Sequence, residues 1–274
     1  MTITIGFIGA GNMASALVGG LLARGHRPQQ LAIADSQVTQ LQGFQQQGIF
    51  TSTNNADIFT RAQVIVLAVK PQVMADVLKP LADLAQQHKP LIISIAAGIS
   101  VASIDYWLGH NMAIVRAMPN TPALVQTGAT GLYANNQTTS DNRQQAEAIL
   151  NAVGLTLWLN DEALIDSVTA VSGSGPAYFF YVMEAMISAG CALGLDEKTA
   201  RALTLQTALG SAQMAITADV GPAELRRRVT SPAGTTERAI AVFDDAQMKD
   251  IFSNALTACA ARGQELALLL GHQE

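Results

Sequence analysis

The sequence is poor in cysteine and in charge, and both shortages exclude classes of protein. Its 274 residues include two cysteines, too few and too far apart for a disulfide framework or a zinc site, so no metal is expected. Charged residues make up only 14% of the chain and the formal net charge is −5, which argues against a nonspecific nucleic-acid binder. A chain that is 49% hydrophobic and so sparsely charged predicts apolar surface hidden between subunits, so we expect a homo-oligomer.

Signals for secretion or membrane insertion are also lacking. No basic stretch precedes the first apolar residues, so we expect no signal peptide and a cytoplasmic protein. Residues 167–195 carry a single charge, Glu184, but Gly173, Gly175 and Pro176 interrupt the first third of this stretch. The pattern predicts a turn and a buried helix rather than a membrane span.

The first half of the chain alternates short apolar runs with helical stretches. The runs predict strands at residues 3–8, 31–34, 64–69, 91–95 and 113–117, with weaker strands at 130–133 and 155–159. The intervening stretches predict helices at residues 13–24, 37–47 and 73–85. This alternation predicts an α/β Rossmann domain at residues 1–160, with a doubly wound, mainly parallel sheet.

The second half has a different pattern, without strand-like runs. Ala-rich helical stretches are expected at residues 177–193, 199–218, 222–229, 236–243 and 247–270. Their many small residues favour close helix–helix packing. We therefore predict an all-helical substrate and dimerisation domain at residues 161–274.

A glycine-rich loop at residues 9–14 carries the strongest local signal. It reads Gly-Ala-Gly-Asn-Met-Ala, follows a predicted strand and opens a predicted helix, as dinucleotide-binding loops do. Gly9 would allow the tight turn, Gly11 would leave room for the pyrophosphate, and the helix beginning near Asn12 and Met13 would bind it. Asp35 ends the second strand, where a carboxylate usually binds ribose hydroxyls and favours NADH, while Ser36 is a candidate phosphate donor.

Other candidate cofactor residues follow later strands, at the edge where open sheets bind ligands. They are Ala68, Val69, Lys70 and Pro71, then Ala97 and Gly98, and finally Asn120. Lys70 could approach the cofactor or be a solvated charge at a strand end. The small residues at 96–98 would let a nicotinamide ring lie against the backbone.

Two clusters rich in serine, glycine and threonine lie in the helical half, at residues 172–178 and 230–236. In the second cluster, successive N–H groups lead into a helix that starts near Thr236, which is a possible cradle for a carboxylate. An ordinary helix cap is the alternative.

These motifs resemble the pyrroline-5-carboxylate reductase family over nearly the whole chain. The resemblance includes residues 6–14, 68–71 and 172–178, and most specifically residues 222–244. Matching positions there are Pro222, Leu225, Val229, Thr230, Ser231, Gly234, Thr236, Ala239, Ile240, Phe243 and Asp244.

The resemblance implies reduction of 1-pyrroline-5-carboxylate, a cyclic imino acid, to proline with NADPH or NADH, by a homo-oligomer built from dimers. It implies that Val229, Thr230, Ser231, Gly234, Thr235 and Thr236 hold the substrate, with the Thr236 hydroxyl near the ring nitrogen. It further implies that Asn55 lies near the adenosine and that Ala68, Lys70, Ala97 and Gly98 line the cofactor.

The distribution of proton donors agrees with an imine substrate. Carbonyl reduction usually needs a His, Lys or Tyr to deliver a proton, but the four histidines lie outside every motif and no lysine occurs between Lys89 and Lys198. Tyr178 could act as an acid or simply pack at a helix start. An imine nitrogen can be protonated in solution, so a hydroxyl such as that of Thr236 suffices.

Two other functions remain open from the sequence alone. A β-hydroxyacid dehydrogenase is disfavoured because no lysine follows Gly173 and Gly175 closely. A dinucleotide-binding regulatory protein without turnover would be expected to have a disrupted loop at residues 229–236, and here that loop is intact.

Overall fold

A computed structural model of the chain describes residues 3–271. The described residues form eight strands of one sheet, and four of these strands are short and fully buried, as expected of apolar runs covered on both faces. The strands are β1 Ile5–Ile8, β2 Leu31–Ala34, β3 Phe50–Ser52, β4 Val64–Leu67, β5 Leu91–Ser94, β6 Ile114–Met118, β7 Gly128–Ala134 and β8 Gly154–Trp158.

The strand order is β3-β2-β1-β4-β5-β6-β7-β8, and every pair is parallel except one. The exception is β7, which runs antiparallel to β6 with Met118 opposite Gly131. The mainly parallel sheet predicted from the alternating pattern is confirmed, and so are the two weaker strands. The sequence pattern missed β3, whose three half-buried residues are too few to show a period.

Helices connect the strands and cover both faces of the sheet. They are α1 Asn12–Ala23, α2 Val38–Gln46, α3 Ala56–Phe59, α4 Met74–Leu78, α5 Ala82–His88, α6 Val101–Trp107 and α7 Ser140–Leu150. The single helix predicted at residues 73–85 is wrong, because a 3₁₀ turn at Lys79–Leu81 separates α4 from α5. Pro80 lies in this turn, where it cannot donate the hydrogen bond that a continuous helix would need.

Two apolar cores lie on opposite faces of the sheet. Phe7, Val66 and Val115 point into the first core, against α1 and α7. Ile65 and Ile114, which alternate with those residues along their strands, point into the second core, against α4 and α6.

In its described part, the chain after β8 forms helices joined by loops and no strand, as predicted. It contains α8 Leu164–Val168, α9 Gly175–Ala192, α10 Glu197–Thr217, α11 Pro222–Arg228, α12 Thr235–Asp245 and α13 Met248–Leu270. A π-helical turn at Thr169–Gly173 joins α8 to α9.

Contacts divide the chain into two compact units. The first contains residues up to Ser174 together with those from Ala258 onwards, and the second is Gly175–Thr257. The final helix α13 therefore contributes to both units. The domain boundary near residue 160 stays a prediction based on the change of sequence pattern.

Large apolar side chains in the second unit are widely exposed. Along α9, only Gly175 is buried, and Phe179, Phe180 and Tyr181 are between 63% and 74% exposed. A helix that is apolar on every side normally lies inside a protein core. This unit therefore presents the apolar surface that the composition predicts.

Candidate active site

The carboxyl ends of the parallel strands form the ligand edge of the first unit. Strand order reverses between β1 and β4, which lie side by side although β2 and β3 come between them in the chain. At such a point the loops on either side diverge and leave a crevice for a ligand. The loops after β1, β4, β5 and β6 carry most of the predicted cofactor residues.

The glycine loop after β1 has the geometry of a dinucleotide site. Gly9 has a φ of 99°, and a Cβ atom there would lie 2.6 Å from the carbonyl oxygen of Ala68, so a side chain cannot be accommodated. Gly11 caps α1, and a Cβ atom there would meet no atom within 4 Å. The first amide groups of α1, at Asn12 and Met13, have no partner within the helix, as in other helices, and such groups can bind an anion.

Asp35 is fixed by main-chain groups of the glycine loop and of its own loop. Its Oδ2 accepts a hydrogen bond from the Ala10 amide at 2.9 Å, and its Oδ1 accepts one from the Gln37 amide at 2.8 Å. The carboxylate therefore organises the loop in addition to the ribose contact predicted for it. Ser36, the next residue, is exposed.

Asn55 lies in the loop after β3, at the same edge as Asp35. The backbone amide of Asp35 donates to the carbonyl oxygen of Ser52, the last residue of β3, at 3.2 Å. Asn55 itself is half-buried and immediately precedes α3. The structure thus brings Asn55 and Asp35 to neighbouring strand ends.

The loop after β4 approaches the glycine loop closely. The Ala68 amide donates to the carbonyl oxygen of Ile8 at 2.8 Å, which places residues 68–71 beside Gly9. Ala68 and Val69 are half-buried, Lys70 is exposed and Pro71 starts a 3₁₀ turn.

The turn after β5 contains Ala97 and Gly98. Gly98 has a φ of 70°, and a Cβ atom there would lie 3.1 Å from the Cβ atom of Leu266 in α13. A side chain at this position would be strained by the backbone and crowded by that helix. Ala97 stays half-buried at the ligand edge.

Asn120 has a role that the sequence did not suggest. Its Nδ2 donates to the carbonyl oxygen of Ser172 at 3.0 Å, and its Oδ1 accepts from the Ala129 amide at 2.8 Å. The side chain thus joins the loop after β6 to the start of β7 and to the π-helical turn. Asn120 lies at the ligand edge, as predicted, but its amide is used to hold these segments together.

The sequence pattern also missed an ionic cluster around the buried side chain of Arg116. Arg116 in β6 is 4% exposed, and its Nη1 donates to Glu162 Oε1 at 2.9 Å. Burial raises the pKa of Asp166. The positive charge of Arg116 lowers this pKa, and the negative charge of Glu162 raises it further. An arginine inside an apolar strand is a sequence signal that could have revealed the cluster, because such a charge needs a partner.

The loop between α11 and α12 belongs to the second unit. Ala233 has a φ of 57°, and the Gly234 amide donates to the carbonyl oxygen of Ser231 at 3.0 Å, so the chain turns sharply into α12. Thr235 and Thr236 form the first turn of α12 and are exposed. Within residues 3–271 the Thr236 hydroxyl makes no hydrogen bond, which leaves it available to a ligand.

The remaining residues of this loop are fixed by local contacts. The Thr230 hydroxyl donates to the carbonyl oxygen of Arg226 at 2.7 Å, and Val229 ends α11. Glu237 accepts the Ala233 amide at 2.7 Å, which rigidifies the turn but leaves the first amides of α12 uncovered. The structure therefore assembles the predicted substrate residues into one loop.

The described residues offer neither a metal site nor a membrane-spanning helix. In the described part of the chain, no group of three or more His, Cys, Asp or Glu side chains could hold a metal ion. No helix between residues 3 and 271 is both long and apolar enough to cross a bilayer.

Comparison with known proteins identifies the family. A protein from Pseudomonas aeruginosa named pyrroline-5-carboxylate reductase is 52% identical over 271 residues, covering 98% of this chain and 99% of that protein. The chain belongs to the pyrroline-5-carboxylate reductase family. The resemblance inferred from the sequence is thereby confirmed, and a protein of the same name from Pisum sativum is 35% identical over 96% of both chains.

Two family models and two solved structures extend this result. Residues 162–266 match pyrroline-5-carboxylate reductase dimerisation, which confirms the expected homo-oligomer, and residues 4–98 match NADP oxidoreductase coenzyme F420-dependent. The structure of a family member from Coxiella burnetii has a TM-score of 0.93 and 44% identity, covering 97% of this chain and 99% of that one. A Plasmodium falciparum member solved with NADP bound has a TM-score of 0.85 and 28% identity, covering 97% and 98%.

Proposed function

We propose that this chain reduces the C=N bond of 1-pyrroline-5-carboxylate with NADPH or NADH and releases proline. The observation that carries the proposal is the combination of an open glycine loop in the first unit with an amide-lined, hydroxyl-bearing loop in the second. The family to which the chain belongs supports the same reaction. We further propose that it acts in the cytoplasm, in keeping with Cys191 and Cys259, which form no disulfide.

The first unit would hold the cofactor. The free amides at the start of α1 and the open space at Gly11 fit a pyrophosphate, and the loops after β2 and β3 fit the adenosine end. The turn at Ala97 and Gly98 would lie against the nicotinamide. When bound, this cofactor supplies the hydride.

The second unit would hold the substrate. The amides leading into α12 and the hydroxyls of Ser231 and Thr236 fit a carboxylate and a ring nitrogen, because a helix N-terminus favours an anion. The hydride and its electron pair add to the carbon of the C=N bond, and nitrogen carries a proton taken from solvent. The enzyme then needs orientation and a polar neighbour for nitrogen rather than a strong acid.

A direct assay tests this function. Purified protein should oxidise NADPH or NADH only when pyrroline-5-carboxylate is present, as a fall in absorbance at 340 nm, with proline as the product. Steady-state kinetics with both cofactors would also show whether the protein prefers NADPH or NADH. The carboxylate of Asp35 predicts a preference for NADH. No oxidation of either cofactor would overturn the proposal and favour a binding protein without turnover.

Removal of the Thr236 hydroxyl tests the substrate loop. We expect Thr236→Ala to lower kcat about 10²-fold, because the hydroxyl would orient the ring nitrogen, while the Kd of NADPH stays unchanged. Thr217→Ala is the matched control, since Thr217 is also an exposed threonine of the second unit and bonds only to its own helix. Equal turnover in the two variants would remove Thr236 from the mechanism.

A further inference from the structure

The proposed function places the turn at Ala97 and Gly98 against the nicotinamide. Residues away from the ligand edge fix this turn. Ser94 ends β5 and Val101 begins α6, so the turn at Ala97 and Gly98 is anchored at these two points. Gly98 adopts a left-handed conformation with a φ of 70°. Glycine adopts this conformation without strain but is the most flexible residue, so the segments on both sides are needed to fix the shape of the turn.

One carboxylate oxygen binds the segment after the turn and the strand beside the segment before it. Glu162 Oε1 accepts the amide of Val101 at 2.8 Å and Arg116 Nη1 at 2.9 Å. Arg116 is paired in the sheet with Ser94, the residue before the turn. Glu162 thus connects α6, which follows the turn, to β6, the strand paired with β5 before the turn.

Because the charge of Arg116 is buried, its pairing with Glu162 matters for stability. The Arg116 side chain is only 5% exposed, and its Nε has no hydrogen-bond partner in the described part of the chain. Arg116 therefore depends on Glu162 for its ion pair, because a buried guanidinium without a partner is costly. The same dependence fixes Glu162 in the position from which it reaches the Val101 amide.

We infer that Glu162 is a positioning residue for cofactor binding, which holds the turn at Ala97 and Gly98 in the shape that the nicotinamide end requires. This inference rests on the proposed function. Glu162 acts through the Val101 amide and touches neither cofactor nor substrate.

Two substitutions at Glu162 separate its geometry from its charge. Glu162→Asp keeps the charge beside Arg116, but the side chain is one methylene shorter and cannot reach both donors. Glu162→Gln keeps the length and an acceptor oxygen for the Val101 amide but removes the ion pair with Arg116, so it should lower the thermal stability. We expect Glu162→Asp to raise the Kd and KM of NADPH about tenfold, with the KM of pyrroline-5-carboxylate changed less than about twofold, while Glu162→Gln keeps both NADPH constants close to the wild-type values.

A third variant removes the same hydrogen bond without touching the ion pair. Val101 is the first residue of α6, a position that tolerates proline, and Ser100 before it is extended with a ψ of 157°. Val101→Pro eliminates the amide donor and should weaken NADPH binding as Glu162→Asp does. It also keeps the inference testable if Glu162→Asp fails to fold.

A matched control lies on the other face of the sheet. Glu147 in α7 is also half-buried, and its Oε2 accepts one hydrogen bond from Trp158 Nε1 at 3.0 Å. Glu147→Asp should leave both NADPH constants unchanged. This comparison separates an effect on the turn from a general loss of packing.

NADPH binding, followed by the change in its fluorescence, gives a readout that does not depend on turnover. Wild-type binding of NADPH in Glu162→Asp and Val101→Pro, both folded, would overturn the inference. It would also be overturned if Glu162→Asp raised the KM of cofactor and substrate equally. If the wild type bound NADPH but reduced no pyrroline-5-carboxylate, the proposed function would fail while the effect on binding would still test Glu162.

Discussion

Two glycines of the loop after β1 have different physical roles, although both belong to one motif. Gly9 is required by its own backbone and by the carbonyl oxygen of Ala68, whereas Gly11 has an ordinary φ of −73° and open space around it. Gly9 is therefore needed by the fold, and Gly11 only by a ligand that approaches the backbone.

This difference predicts separate outcomes for two alanine variants. Gly9→Ala should lower both the thermal stability and the affinity for NADPH, because the methyl group cannot fit beside Ala68. Gly11→Ala should keep the wild-type Tm and raise the Kd of NADPH at least about tenfold, since its methyl group would occupy the space for the pyrophosphate. Calorimetry and NADPH titration of both variants test this, and unchanged NADPH binding in Gly11→Ala would place the pyrophosphate elsewhere.

Asp166 predicts a dependence of stability on pH. Burial raises its pKa in the folded state, more than Arg116 lowers it, with Glu162 adding repulsion. The folded state favours the protonated form of Asp166. The stability that this protonation contributes is therefore fully present below the unfolded pKa and is lost as pH rises through the folded pKa. Asp166→Asn should raise Tm slightly at pH 7 relative to the wild type, and this gain should shrink towards pH 4. A gain that persisted or grew at pH 4 would contradict the assignment.

At the scale of elements, α1 contains two adjacent glycines, one exposed and one buried. Gly19 is exposed with no atom within 4 Å of a Cβ position, whereas a Cβ atom at Gly20 would lie 2.6 Å from the carbonyl oxygen of Ala152. Gly20 therefore allows α1 to pack closely against the segment that precedes β8.

Adjacent alanine variants in α1 should have opposite effects on stability. Gly19→Ala should stabilise the protein by about 0.5–1 kcal/mol, because alanine is the better helix former. Gly20→Ala should destabilise it by about 1–3 kcal/mol, because backbone must move to admit the methyl group. Chemical denaturation measures both, and a stabilising Gly20→Ala would show that α1 packs differently.

Elements with a strong local signal were predictable from the sequence, and those set by distant contacts were not. The buried strands of the parallel sheet and the long helices have clear apolar patterns. The motif at residues 9–14 is enough to identify the cofactor loop. By contrast, β3 is short and half-buried, and the reversal at β7 depends on its pairing with β6. The bonds of Asn120 and Glu162 span 52 and 61 residues of sequence, so no local pattern reveals them.

At the scale of the whole molecule, the exposed apolar side chains of the second unit indicate its partner. Phe180 in α9 is 63% exposed, and the region from 162 to 266 matches a dimerisation model. Large apolar surfaces of this kind are buried in obligate homodimers.

A charge on α9 should therefore break the dimer. Phe180→Asp is expected to raise the dimer dissociation constant at least about tenfold, because a carboxylate would be buried in an apolar interface. Tyr106→Asp is the control, since Tyr106 is an exposed aromatic residue on a helix of the first unit. Sedimentation velocity distinguishes the two variants, and a fully dimeric Phe180→Asp would exclude this face from the interface.

The end of α13 has a consequence for synthesis of the protein. Leu266 packs on Gly98, and Gly271 approaches the hydroxyl of Ser103. These contacts join α13 to the turn after β5 and to α6, which are translated well before it. The sheet can begin to form on the ribosome, but these contacts cannot form until α13 has left the exit tunnel.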